Sequence, residues 1–171
     1  LRNVNGKLLF RAGTATTGVE LWTSNGTSAG TTITRDIRGG TLDSDPIYLT
    51  NVGSTIYFVA NNGTQGVELW KSNGTAAGTV LVKDIAPGVA GANPRNLTNV
   101  NGVLYFVAGN SSVGEELWKT DGTAAGTVIV KDVNPGTGSS SPESLVNIGG
   151  ILYFTANDGS FGRELWKSTG T

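Results

Sequence analysis

The chain reads as an all-β protein, a tandem array of four-stranded antiparallel blades built on a 48-residue repeat. Three observations point there. Four tryptophans, Trp22, Trp70, Trp118 and Trp166, stand 48 residues apart with no insertion or deletion between them. Glycine supplies 26 of the 171 residues, beside 5 prolines and many Asn, Thr and Ser, a mixture that suits short strands joined by tight turns. Apolar residues recur in compact runs such as Val103-Leu104-Tyr105-Phe106-Val107, which a disordered composition lacks.

Sliding the sequence on itself by one period superposes far more than the tryptophans. Gly18, Gly66, Gly114 and Gly162 coincide, as do Glu20, Glu68, Glu116 and Glu164 and the Leu after each. So do Phe10, Phe58, Phe106 and Phe154, and likewise Asn3, Asn51, Asn99 and Asn147. Asp36, Asp84 and Asp132 recur with Pro46, Pro94 and Pro142. A fixed period of this length is the mark of a repeat architecture. The units run 1–48, 49–96, 97–144 and 145–171, the last one stopping before its fourth strand.

The third unit shows the elements in order. Residues 96–100 form a brief first strand closed by Asn101-Gly102, the strongest two-residue hairpin signal. The second strand covers 103–108, a polar loop follows over 109–114, and the third strand covers 115–119. Asp121-Gly122-Thr123-Ala124-Ala125-Gly126 turns the chain into a fourth strand at 127–133, and a longer connector through Asn134-Pro135-Gly136 leads on. Three short links and one long one describe a meander and a crossing to the next unit, the pattern of a β-propeller blade. In the second strand Leu104, Phe106 and Ala108 alternate with Val103, Tyr105 and Val107, so both faces are apolar, as a sheet packed between two neighbours requires. A β-solenoid is the structural rival, although its coils are usually shorter. Four blades could close alone, or two chains could complete a larger ring.

Composition also excludes function classes. Net charge is −1, from 12 basic and 13 acidic residues without blocks, so no surface is prepared for nucleic acid. There is no Cys and no His, which removes the thiol nucleophile and the commonest general base and transition-metal ligand. No apolar stretch approaches the ~20 residues that cross a bilayer as a helix. The chain starts at Leu1, and with its unfinished fourth unit it reads as a piece of a longer protein.

The segments Val67-Glu68-Leu69-Trp70-Lys71-Ser72-Asn73-Gly74-Thr75 and Glu116-Leu117-Trp118-Lys119-Thr120-Asp121-Gly122-Thr123 resemble the bacterial ELWxxDGT-type repeats, over essentially the whole chain. The Asp of that motif is replaced by Asn25, Asn73 and Thr169 in the other units, which weighs against a carboxylate role there. The resemblance implies a propeller-like fold in an extracellular or cell-surface bacterial setting, and it brings no catalytic or ligand residues.

Candidate chemistry centres on the Glu-Leu-Trp element. As ligand-binding groups, Trp22, Trp70, Trp118 and Trp166 would stack on sugars while Glu20, Glu68, Glu116 and Glu164 accept hydroxyl hydrogen bonds. The favoured alternative places each Trp between blades and its Glu on backbone or a Lys. Loops such as Asn61-Asn62-Gly63-Thr64 and Asn157-Asp158-Gly159-Ser160 hint at calcium, but their counterparts at Gly13-Thr14 and Gly109-Asn110 carry no carboxylate, and turn chemistry explains them. Asp36, Asp84 and Asp132 are expected to cap the following turn, with Arg35, Lys83 and Lys131 on a solvated edge. The Asn-Gly-Thr triplets match a glycosylation pattern but fall on turns.

Catalysis, cofactors and a metal are therefore not expected, since the repeated carboxylates lack the asymmetry of an acid/base pair. The expectation is a non-catalytic extracellular scaffold for adhesion, assembly or protein binding, with the open edge strand as a route to self-association. The alternative is a lectin with one weak glycan site per blade or junction, its variable positions at Thr17, Gln65, Val113 and Phe161. Either way the partner is a protein or a glycan at the cell surface, with no nucleic acid and no membrane span.

Overall fold

The computed structural model describes residues 1–170, and among them fifteen strands form four antiparallel sheets with no helix. The first sheet holds β1 (Arg2–Val4), β2 (Lys7–Thr14), β3 (Gly18–Ser24) and β4 (Thr32–Arg35) in that order. The second holds β5 (Ile47–Val52), β6 (Thr55–Asn61), β7 (Val67–Ser72) and β8 (Val80–Lys83). The third holds β9 (Arg95–Val100), β10 (Val103–Asn110), β11 (Gly114–Thr120) and β12 (Val128–Lys131). The last has three strands, β13 (Glu143–Ile148), β14 (Ile151–Asn157) and β15 (Arg163–Ser168). Each sheet thus follows one repeat of the sequence as a simple up-and-down meander, with β5, β9 and β13 beginning just before the units that start at 49, 97 and 145.

Local chemistry fixes the turns. Asn5-Gly6 and Asn101-Gly102 both adopt left-handed φ at their two residues (51° and 78°, 51° and 88°), the geometry whose twist matches flanking strands. The side chain of the Asn two positions earlier, Asn3 or Asn99, accepts a hydrogen bond from the turn Gly N–H. A register shift recurs beside each inner tryptophan, between Leu21 and Trp22, Leu69 and Trp70, and Leu117 and Trp118. Such a bulge increases local twist and re-aims the strand.

The units stack through their faces. Between the first two sheets Val4, Leu9, Leu21 and Ile37 meet Ile56, Phe58, Ala60 and Trp70. Tyr57, Leu69, Val82 and Ile85 likewise meet Leu104, Phe106, Ala108 and Trp118. Tyr105, Leu117 and Val133 meet Leu152, Phe154, Ala156 and Trp166. Along the first strands a ladder of asparagines steps from unit to unit. Asn51 Nδ2 donates to the Asn3 carbonyl at 2.7 Å, Asn99 to Asn51 at 3.1 Å, and Asn147 to Asn99 at 3.2 Å.

Successive first strands touch in the order β1, β5, β9, β13, and the sheets do not close into a ring. Of the arrangements open to the sequence, closure by four blades alone is therefore not what the chain adopts. The fourth strand is also shorter than the pattern predicts, Val128–Lys131 rather than 127–133, because the Val133 N–H leaves the ladder for the Glu116 carboxylate.

Candidate functional site

The repeated glutamates are buried clamps. Glu20 Oε2 accepts from the Ile37 N–H at 3.0 Å and from Ser44 Oγ at 2.5 Å, while Oε1 accepts the N–H groups of Arg38 at 3.3 Å and Ser44 at 3.1 Å. Glu116 repeats the arrangement, with the Val133 N–H at 3.1 Å and Ser140 Oγ at 2.5 Å on Oε2, and the Ser140 N–H at 2.8 Å on Oε1. Each carboxylate ties the third strand of its unit to both ends of the long connector. The same crossing explains the repeated glycine two residues earlier. Gly18, Gly66 and Gly114 have φ of 60°, 69° and 63°, and a Cβ there would strike the connector carbonyls of Leu42, Val89 and Gly138. Gly162 has open space instead.

The second unit departs from this pattern. Ala92 stands where Ser44 and Ser140 stand, so Glu68 Oε1 accepts the N–H groups of Ala86 at 3.0 Å and Ala92 at 2.9 Å, and buried Oε2 has no partner. Burial pushes the Glu68 carboxyl up to about 7 from its ordinary 4.5. The nearby Asp84 charge adds to the rise, and the N–H groups of Ala86, Ile85 and Ala92 oppose it without cancelling it. Glu164, in the last unit, also has an unpartnered buried Oε2.

Trp70, Trp118 and Trp166 pack between sheets, whereas Trp22 belongs to none of the inter-sheet clusters. Trp70 and Trp118 are buried, whereas Trp22 and Trp166 are half-buried. The Trp118 and Trp166 indole N–H groups donate to the carbonyls of Ala108 and Ala156. Lys83 and Lys131 lie over the rings of Trp118 and Trp166 at 5.9 and 5.6 Å. Arg35 and Lys83 also cross to the next unit and donate to the carbonyls of Thr79 and Thr127. Arg35 and Lys131 are exposed, as expected for a solvated edge, and Lys83 is partly buried, yet all three also reach across to the next unit. Asp36 and Asp132 cap the connector turn through the N–H groups of Gly40 and Gly136, as the sequence predicts. Asp84 instead accepts from Gln65 Nε2.

The loops suspected of calcium binding are closed on themselves. Asn62 Oδ1 accepts the Thr64 and Gln65 N–H groups, and Asp158 Oδ1 those of Ser160 and Phe161. Those backbone bonds hold the Asp158 carboxyl below its ordinary value. Of the variable loop positions, Phe161 projects into solvent at 87% exposure, while Gln65 is turned inward onto Asn62 and Asp84.

What the sequence reading missed is a groove at each of the first two unit junctions. One of about 470 Å³ lies between the second and third units, lined by Pro87, Asn93, Asn110, Ser112, Glu115 and Ser139. Its counterpart of about 400 Å³, between the first and second units, is lined by Arg11, Arg38, Asp43, Asp45 and Asn61. Charges at these junctions change from unit to unit in compensating pairs. Arg95 grips Glu115 with two bonds of 2.5 and 3.1 Å, and one period later Glu143 and Arg163 pair at 3.5 Å with the signs reversed. Ile47 and Val67 occupy those positions in the second unit, where an Arg11–Asp45 ion pair stands nearby. Such surfaces offer hydrogen bonds and modest charge to a ligand.

No family model matches the chain, and none of the curated proteins does. Among solved structures it is similar to a "putative exo-beta-1,3-galactanase" from Bifidobacterium bifidum s17, at 14% identity and a TM-score of 0.39. The similarity covers 97% of this chain and 60% of that one, so the chain spans well under the full length of that protein.

Proposed function

We propose that this chain is a non-catalytic binding scaffold, a propeller-like array of blades that presents its junction surfaces to a protein partner outside the cell. One observation carries the reading. The side chains common to all repeats are largely spent on holding sheet to sheet and connector to sheet, whereas the junction positions change charge from one unit to the next. A body built this way is rigid in its repeated parts and individual on its surface, which suits adhesion or assembly better than turnover. The carboxylates that would serve as an acid/base pair are instead held by backbone N–H groups. The extracellular setting rests on the resemblance of the repeat.

A second reading, a lectin with one weak site per junction, draws on the grooves lined by Asn93, Asn110 and Ser112. Several weak equal sites on one body would raise effective affinity. Glycan-array binding with calcium and with chelator separates the two. A blank array in both conditions is the result expected for the protein-binding scaffold. Saturable binding to a related set of sugars, lost on Asn93→Ala with Asn110→Ala, would replace the scaffold reading with the lectin.

A further inference from the structure

Charges that form no blocks along the sequence are separated in space. The ion pairs among the described residues, Arg11–Asp45, Arg95–Glu115 and Glu143–Arg163, all lie at the end of the sheets that carries the connectors. At the opposite end stand the Asn/Asp-Gly-Thr turns, and the cations that reach across a junction there are in none of these pairs. Lys71 and Lys83 of the second unit donate to the carbonyls of Gly122 and Thr127, at the turn of the third. One junction earlier Arg35 donates to the Thr79 carbonyl, and Lys7 lies along Gly74, where an added Cβ would come within 3.9 Å of its Cδ. The turns of the second and third units are thus each flanked by two cations from the unit before.

The two turns meet those cations differently. The third carries its own anion, Asp121, whose Oδ1 accepts the Thr123 N–H and hydroxyl at 2.8 Å each. Those two bonds, and to a smaller extent the Lys71 charge, hold the Asp121 carboxyl below its ordinary value. In the second unit Asn73 makes the same two bonds to Thr75, at 3.1 and 2.7 Å, as a neutral amide. Lys7 and Arg35 therefore flank a turn without a carboxylate. Lys7 is exposed, and Arg35 commits one guanidinium nitrogen to Thr79 while keeping further N–H donors. Thr23, which stands in the first unit where Lys71 stands in the second, adds a buried hydroxyl with no partner.

We propose that the turn of the second unit, with Lys7 and Arg35 beside it, binds a carboxylate side chain from an acidic segment of the protein partner. The partner then supplies the anion that Asp121 supplies in the third unit. The kind of partner rests on the scaffold reading, whereas the position rests on the charges of this junction alone. Exposed charge pairs are individually weak, so the contact fixes where an acidic segment lies more than how tightly the whole partner binds.

Calorimetric titration of a hexaglutamate peptide into the 171-residue chain at low ionic strength tests the proposal. Saturable binding is expected, weakened by added salt. Lys7→Gln should weaken it about fivefold. Asn73→Asp should weaken it as much, because it gives the second turn the internal carboxylate of the third. Asp121→Asn is the converse, and by freeing Lys71 and Lys83 it should raise the amount of peptide bound at saturation. These last two exchange residues that the sister turns already hold, so the fold is kept. Arg163→Gln removes an equal charge at the connector end and should leave the affinity unchanged. No binding by the parent, or affinity unmoved by both Lys7→Gln and Asn73→Asp, would overturn the proposal whatever the glycan array gives. So would equal weakening by Arg163→Gln. An oligouronate of the same charge that binds more tightly than the peptide would replace the protein segment with an acidic glycan.

Discussion

The connector clamps of the first and third units carry a serine hydroxyl and a backbone N–H on Oε2 that the clamp of the second unit lacks. Around Glu20 and Glu116 a serine completes the ring of donors, with Ser44 and Ser140 each placing Oγ 2.5 Å from a carboxylate oxygen. Around Glu68 the serine is Ala92, and one buried oxygen is left without a partner. All three carboxylates are buried and accept backbone N–H groups, but Glu68 also lacks the N–H bond on Oε2 that Ile37 gives Glu20 and Val133 gives Glu116. The N–H groups of Ala86, Ile85 and Ala92 favour the charged Glu68 carboxylate, yet burial still lifts its pKa to about 7. A buried carboxylate short of hydrogen-bond donors holds its proton more tightly than one in water.

The largest effect should come from breaking a complete clamp. Glu116→Gln turns an amide NH₂ toward donors that now lack an acceptor, and we expect a loss of about 3 kcal/mol in urea unfolding. Glu68→Gln should cost well under half of that near pH 8, since it removes a strained charge and disturbs fewer bonds. Equal losses in the two variants would show that the serine does not matter.

Next in size is a pH dependence confined to Glu68. Its folded pKa is raised, so the folded state holds the proton more tightly and the group's contribution is fully present below about pH 4.5. It erodes between about 4.5 and 7 and is gone above that, a swing of roughly 3 kcal/mol. Other titratable groups on the surrounding elements include Tyr57 on β6, Lys71 on β7, Lys83 on β8, Asp84 after it, and Arg95, Tyr105, Glu115, Glu116 and Lys119 of the third unit. Asp84 is the one whose charge shifts Glu68. Comparing parent and Glu68→Gln from pH 4 to 8 isolates the term, and parallel stability curves would contradict it.

Ala92→Ser should repair the second clamp, raising stability by about 1–2 kcal/mol at pH 8 and much less at pH 4. Smallest is Lys83→Met, which removes the bond to the Thr127 carbonyl and the contact with the Trp118 ring. A loss of about 1 kcal/mol by thermal or urea unfolding is expected.

Much of the fold was legible because the period is strict. The tryptophan spacing, the Asn-Gly turns and the doubly apolar second strand give strand count, order and burial with no further information. What lay beyond reach depends on contacts between residues that are distant in sequence. The bond from Glu20 to Ser44 spans the whole connector, and a local pattern carries no trace of it. A signal was nonetheless available, since one unit in three breaks the Ser44, Ala92, Ser140 column. The reversed pair Arg95–Glu115 and Glu143–Arg163 needed the exact register across a bulged strand pair. Lys83 was placed at a solvated edge because strand alternation alone does not reveal the shift beside Trp70 that carries β8 toward the next unit.

A carbon-detected NMR titration of the glutamate side-chain carboxyls tests the clamp most directly. We predict that Glu68 titrates near 7 in the parent chain and falls clearly toward the ordinary carboxylate range in Ala92→Ser. A Glu68 midpoint already at 4–5 in the parent, or one that does not move when the serine is restored, would contradict the account.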